Sequence, residues 1–210
     1  RAFFYRFTLL TRILLAAGFV PTGLVKLLGY RFTQMTIETP IGAFFEAMFQ
    51  TGLYWRFLGA SQMVAGLMLL VPATAPLGAA LFLPIMINIA VITISIPFGG
   101  TPFVTVPMSL AVLYLCLWDF PRFRGLLTTA EPREPLAAPR PQALSTAERL
   151  GFWVFGVSLM AFFGFTRGFV PPPVAAGSVF TGVAGGLLAL TAFALETWRR
   201  SRAQKLQSST

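Results

Sequence analysis

The sequence predicts an all-α integral membrane protein with six transmembrane helices. Of its 210 residues, 56% are hydrophobic and only 11% charged, with a mean hydropathy of +0.74. An average soluble domain carries roughly 25% charge. Six apolar runs are long enough, at roughly 1.5 Å per residue, to cross a hydrocarbon core of about 30 Å. Helices are required because unpaired backbone groups are too costly in lipid, and no ten-residue alternation of polar and apolar residues marks a barrel strand.

The first span is expected near Phe7–Leu28. Its start, "RAFFYRFTLLTRILLAAG", is basic but is followed by no A-x-A-like cleavage site, which predicts a retained helix and not a signal peptide. Its end, "AAGFVPTGLVKLLGY", holds Pro21, Gly18 and Gly23, a combination that predicts a kink and a freed carbonyl below Lys26. The loop that follows contains "IGAFFEAMFQTGLYW". There Ile41, Phe44, Phe45, Met48 and Phe49 keep helical spacing and predict a segment lying along the outer interface, with Tyr54 and Trp55 as aromatic anchors.

The second, third and fourth spans are expected near Leu53–Val71, Pro76–Ile96 and Pro102–Phe120. The stretch "PRFRGLLTTAEPREPLAAPRPQALSTAERL" then lacks an apolar period and reads as a Pro/Ala/Arg-rich linker. Its closing "STAE" is a capping box, with Ser145 as N-cap and Glu148 reaching back, and it starts the fifth helix near Arg149–Arg167. The sixth is expected near Val174–Trp198. The chain thus divides into a four-helix module (1–127), a linker (128–147) and a two-helix module with a basic tail (148–210).

Cations set the expected orientation. Arg1, Arg6, Arg12, Arg122, Arg124, Arg133, Arg140, Arg149, Arg199, Arg200, Arg202 and Lys205 fall on the side shared by both termini and the linker, against Lys26, Arg31, Arg56 and Arg167 on the other. The positive-inside rule then places both termini in the cytoplasm of a bacterial-type cytoplasmic membrane. The net charge of +9 flanks apolar runs, where topology signals sit, so nucleic acid is not an expected partner.

Missing residues constrain the chemistry. The chain has no histidine and one cysteine, Cys116, so no cofactor or metal is expected on His or Cys ligands, and no internal disulfide forms. Asp119 and Glu196 fall at span ends and Glu38 and Glu46 in an outer loop, which leaves no carboxylate in mid-membrane for a proton relay. A self-contained enzyme is disfavoured.

The positive candidates are few. Lys26 lies about 19 residues, roughly 28 Å, from the start of its helix. It either snorkels to the outer surface or points into an outward-facing ligand pocket. Arg56 enters at comparable depth, and Glu46 can neutralise one of the two, so the three form either an ion-pair cluster or a recognition site for an anionic or carbonyl headgroup. Gln62 and Asn88 fall at similar depth near the midplane. They form either an interhelical hydrogen bond or a polar handle for a lipophilic ligand. In the last span Ser178, Gly182 and Gly186 recur every four residues, a face for close packing within the chain or for docking a partner subunit.

Residues 5 to 127 resemble the DoxX-like family of small four-helix membrane proteins. The resemblance rests on "RILLAAGFVPTGLVKLLG", "RFLGASQMVAGLMLLVP", "FGGTPF" and "LYLCLWDFPRFRGLL". It maps the family pattern onto Gly23, Lys26 and Gln62; similar proteins often carry an acidic residue where this chain has the uncharged Gln62. It implies a DoxX-like four-helix bundle, with the C-terminal helix pair outside the resemblance. It also implies an accessory or scaffold subunit of a larger membrane complex, near redox or quinone-linked chemistry. The alternative expectation is a binder or carrier of a lipophilic small molecule such as a quinone. Membrane lipids and other membrane subunits are the expected partners, and quinone or lipid the expected bound molecule.

Overall fold

In the computed structural model, residues 2–33, 35–96, 98–127, 142–166 and 171–207 are described. All regular structure among them is helical. The elements are α1 (Ala2–Leu27), α2 (Pro40–Gln50), α3 (Leu53–Leu70), α4 (Ala75–Ser95), α5 (Pro102–Trp118), α6 (Phe120–Leu127), α7 (Thr146–Thr166) and α8 (Pro172–Gln207). Helices α1, α3, α4, α7 and α8 are long and apolar enough to cross a bilayer. This is a multi-pass α-helical membrane protein. The fourth expected span, α5, is apolar but has 17 residues, because it stops at Asp119 and the chain restarts as α6. Arg1, Arg133, Arg140 and Arg167, which carry part of the orientation argument, lie outside the described residues, as does most of the linker, 128–141.

The chain forms two compact units, Arg1–Pro141 and Gln142–Thr210. In the first, α1 packs on α3, α3 on α4 and α4 on α5. Leu15, Ala65, Leu69, Ala79, Phe82, Met86, Val112 and Leu115 form its core. Phe19 meets Phe82 edge-on at 4.7 Å, the geometry that ring quadrupoles favour. Several polar groups inside this unit pair across helices. Thr93 and Thr105 hydroxyls lie 2.7 Å apart, Ser109 donates to the Met86 carbonyl at 3.1 Å, and Thr8 meets Tyr114 at 2.8 Å. One turn further along α1, buried Asp119 accepts from Arg12 at 2.8 Å and from Arg122 at 2.6 Å. One carboxylate thereby joins α1, α5 and α6.

Two glycine features decide where α1 stops and what it touches. A Cβ on Gly23 would lie 2.7 Å from the Gly59 carbonyl oxygen, and one on Gly59 would lie 2.5 Å from that of Gly23. Only glycine at both positions lets the two backbones meet there. Gly29 then adopts φ +78°, and the N–H groups of Gly29 and Tyr30 return to the carbonyls of Lys26 and Val25, closing the helix as a Schellman motif. Pro21 does not break α1, and the Thr22 hydroxyl reaches the carbonyls of Gly18 and Phe19, both at 3.1 Å.

In the second unit α7 packs along α8. The expected capping box forms: Glu148 accepts from the Ser145 N–H at 2.8 Å, and the Ser145 hydroxyl accepts from the Glu148 N–H at 3.2 Å. The buried line of α8 is Ala175, Ser178, Gly182, Gly185 and Ala189, a three-and-four spacing that keeps one side toward α7. The tightest approach is at Gly185 and Gly151, where added Cβ atoms would lie 2.8 Å from the Phe155 nitrogen and 2.6 Å from the Ala189 nitrogen. At Gly186, expected on the packing face, an added Cβ would meet the Phe155 ring at an ordinary 3.5 Å.

Candidate functional site

The closure of α1 at Gly29 places Lys26 where a count along the helix does not. A Cβ on Gly59 would touch the Leu27 nitrogen at 2.5 Å, so α1 ends beside Gly59, six residues or about 9 Å inside the start of α3. Lys26 is therefore enclosed. It is 5% exposed and its ammonium donates to Gln62 Oε1 at 2.8 Å; Gln62 itself is 1% exposed. The two helices run antiparallel, with Lys26 beside Gly59 and Gly23 beside Met63, so Gln62 lies about one turn further along α3 and the long Lys26 side chain spans that step to reach it.

Aromatic rings close the pair from the side of the loop. The Lys26 ammonium lies 4.5 Å from the centre of the Phe32 ring and 5.6 Å from that of Trp55. Both distances are within cation–π range. Trp55, expected as an interfacial anchor, is instead buried, and its indole N–H donates to the Tyr30 carbonyl at 2.9 Å. That bond ties the post-helix turn to α3 and holds both rings in place.

Beyond Phe32 lies a cavity of about 490 Å³, lined chiefly by residues 31–33 and 35–37 and by α2. Thr39 caps α2 through its hydroxyl, which accepts from the Gly42 N–H at 3.2 Å. Gly42 lies so close under the loop that a Cβ would fall 2.0 Å from the Thr36 carbonyl oxygen. The turn and helix are thus one packed piece. Phe32, Phe45 and Phe49 form the apolar lining, and Phe45 meets Phe32 at 5.4 Å. The polar lining comes from Arg31, whose guanidinium makes two 2.8 Å bonds to the Glu46 carboxylate and lies 4.6 Å from the centre of the Phe49 ring. These bonds, with a weaker one from Gln50, hold the Glu46 carboxyl down at about 2, and the same pair raises Arg31. The carboxylate is charged at any physiological pH.

The structure thus brings Lys26 together with Gln62 and places Glu46 at the neighbouring cavity. Glu46 pairs with Arg31 and not with Lys26 or Arg56. Arg56 is exposed, with its guanidinium against Gly29, about 3.3 Å from where a Cβ would sit. Asn88 is not in the site: it is exposed on α4, so the expected Gln62–Asn88 bond does not form. Ser178, Gly182 and Gly186 belong to the second unit, where Ser178 donates to the Ala175 carbonyl at 2.7 Å. Arg31, Phe32 and the place of Phe49 in the cavity lining were missed by sequence reasoning. The 15-residue spacing of Arg31 and Glu46 follows no helical period and leaves no local signal.

Comparison with known proteins gives one informative similarity. The chain is 31% identical over 121 residues to a curated Bacillus subtilis (strain 168) protein described as "Uncharacterized protein YwoB". The match covers 55% of this chain and 78% of that protein. No family model matches, and no solved structure matches.

Proposed function

This chain belongs to the same family as YwoB of Bacillus subtilis, and from that premise and the site geometry we propose that it binds a lipophilic small molecule with a polar carbonyl head, such as a quinone. The observation that carries this reading is the enclosed Lys26–Gln62 hydrogen bond, which shares the Phe32 ring with a cavity of about 490 Å³. That volume falls in the range of small-molecule sites, which join an aromatic lining to a few placed polar groups. An ionisable group enclosed within a membrane bundle is costly to keep, which makes a functional role its default explanation. A ring would pack against Phe32, Phe45 and Phe49 with its carbonyl accepting from Arg31, while Lys26 holds the shared Phe32 ring from the other side.

The side chains at this site hold and orient; none is arranged as an activated nucleophile. Lys26 is engaged with an amide, and the Glu46 carboxylate is engaged with Arg31. This division supports an accessory subunit of a larger redox-linked membrane complex, with the chemistry performed by a partner. The DoxX-like resemblance of residues 5–127 supports the same assignment, and we propose with it six spans with both termini in the cytoplasm of a bacterial-type inner membrane. Thermal unfolding in mild detergent with a short-chain ubiquinone analogue tests the binding. Wild type should gain stability as the analogue is added, by ligand linkage, and Lys26→Met should gain much less. Equal gains in both proteins would remove Lys26 from the site.

A further inference from the structure

Helix α4 carries an exposed stripe, Leu77, Leu81, Pro84, Asn88, Val91 and Ser95, at spacings of four and three. That repeat keeps one face toward a neighbouring helix for the whole length of the element. Asn88 interrupts its apolar part. It lies seven residues, about 10 Å, from the end of a helix about 31 Å long, well inside the hydrocarbon. None of the hydrogen bonds among the described residues involves its carboxamide. Acyl chains offer it neither donor nor acceptor at that depth, so a bare amide facing lipid is costly.

We propose that this stripe is the interface of a homodimer, in which Asn88 of one copy hydrogen-bonds Asn88 of the other. The occupant follows from the chemistry of the group. A carboxamide carries both N–H donors and a C=O acceptor and is complementary to itself. A two-fold axis along the membrane normal puts the same residue at the same depth on both helices, whereas an unrelated partner would need its own polar group at that level. A single amide within an apolar three-and-four stripe also fixes register, since any slip separates the pair. The interface is independent of the Lys26–Gln62 site, which lies between α1 and α3.

The test uses the full chain in membranes, with Cys116→Ala as background so that a single introduced cysteine reports only on contacts between chains. Cysteine at Leu81 or Val91 should give a disulfide-linked dimer on oxidation, and cysteine at Leu110, exposed on α5, should not. Asn88→Leu, which suits lipid better than the amide does, should weaken association about tenfold while the protein stays monodisperse, and Asn88→Gln should restore it. The proposal is overturned if neither stripe position crosslinks, if Leu110 crosslinks as well as they do, or if the crosslinked species contains a different protein.

Discussion

Lys26 and Gln62 illustrate what a count of residues along a helix conveys and what it omits. Depth was legible: Gln62 lies in the middle of α3. Rotation was not, so the sequence reading allowed a bond between Gln62 and Asn88, although Asn88 faces away, exposed on α4. The overlooked signal was Gly59, Gln62 and Gly66 at spacings of three and four, which marks the face of α3 that meets α1. Because Lys26 and Gln62 bond directly, their substitutions should not add. A double-mutant cycle of Lys26→Met and Gln62→Leu should give a coupling of about 1–2 kcal/mol, and strict additivity would show that the bond contributes nothing. Gln62→Leu with Asn88→Leu should add. The Arg31–Glu46 pair gives a pH prediction. With the Glu46 value depressed from 4.5 to about 2, its contribution is complete above the unfolded value and is lost as pH falls through about 2. Carboxylate infrared bands, compared with Glu46→Gln, should show no titration of this group near pH 4.5.

At the scale of elements, hydropathy located the long helices to within a few residues, because burial in lipid leaves one pattern for the whole length of a span. It missed α6, since "FPRFRGLL" is short and too basic to register as apolar. It also ended α8 near Trp198, although the chain beyond is rich in Ala, Gln, Lys, Arg and Leu and stays helical to Gln207 by propensity. Helix contacts depend on glycines that a hydropathy scan ignores. Gly59→Ala would place a Cβ 2.5 Å from the Gly23 carbonyl oxygen and should destabilise the protein by about 3 kcal/mol, in spite of the better helix former. Gly177→Ala, where an added Cβ meets nothing within 4 Å, should instead stabilise α8 by about 0.5–1 kcal/mol. Thermal unfolding of the two variants side by side checks the contrast. If both are stabilised, the α1–α3 contact is looser than described, and the enclosure of Lys26 loses its cause.

For the molecule as a whole, the boundary between the two units falls between Pro141 and Gln142, within the stretch that the sequence marks by its Pro, Ala and Arg content and its lack of an apolar period. The cavity was not legible. It depends on a turn at Gly29 that folds residues 31–33 and 35–37 onto α2, and on a Trp55 hydrogen bond to a backbone carbonyl, which no periodicity encodes. The central claim is that this cavity and the enclosed Lys26–Gln62 pair take a lipophilic molecule with a carbonyl head. Photolabelling with a short-chain azidoquinone in membranes, followed by mapping of the labelled residues, tests it most directly. Label should concentrate on Phe32, Phe45 and Phe49 and fall at least several-fold in Lys26→Met. Label spread evenly over the exposed faces of α4 and α5, at the same yield in wild type and variant, would contradict it.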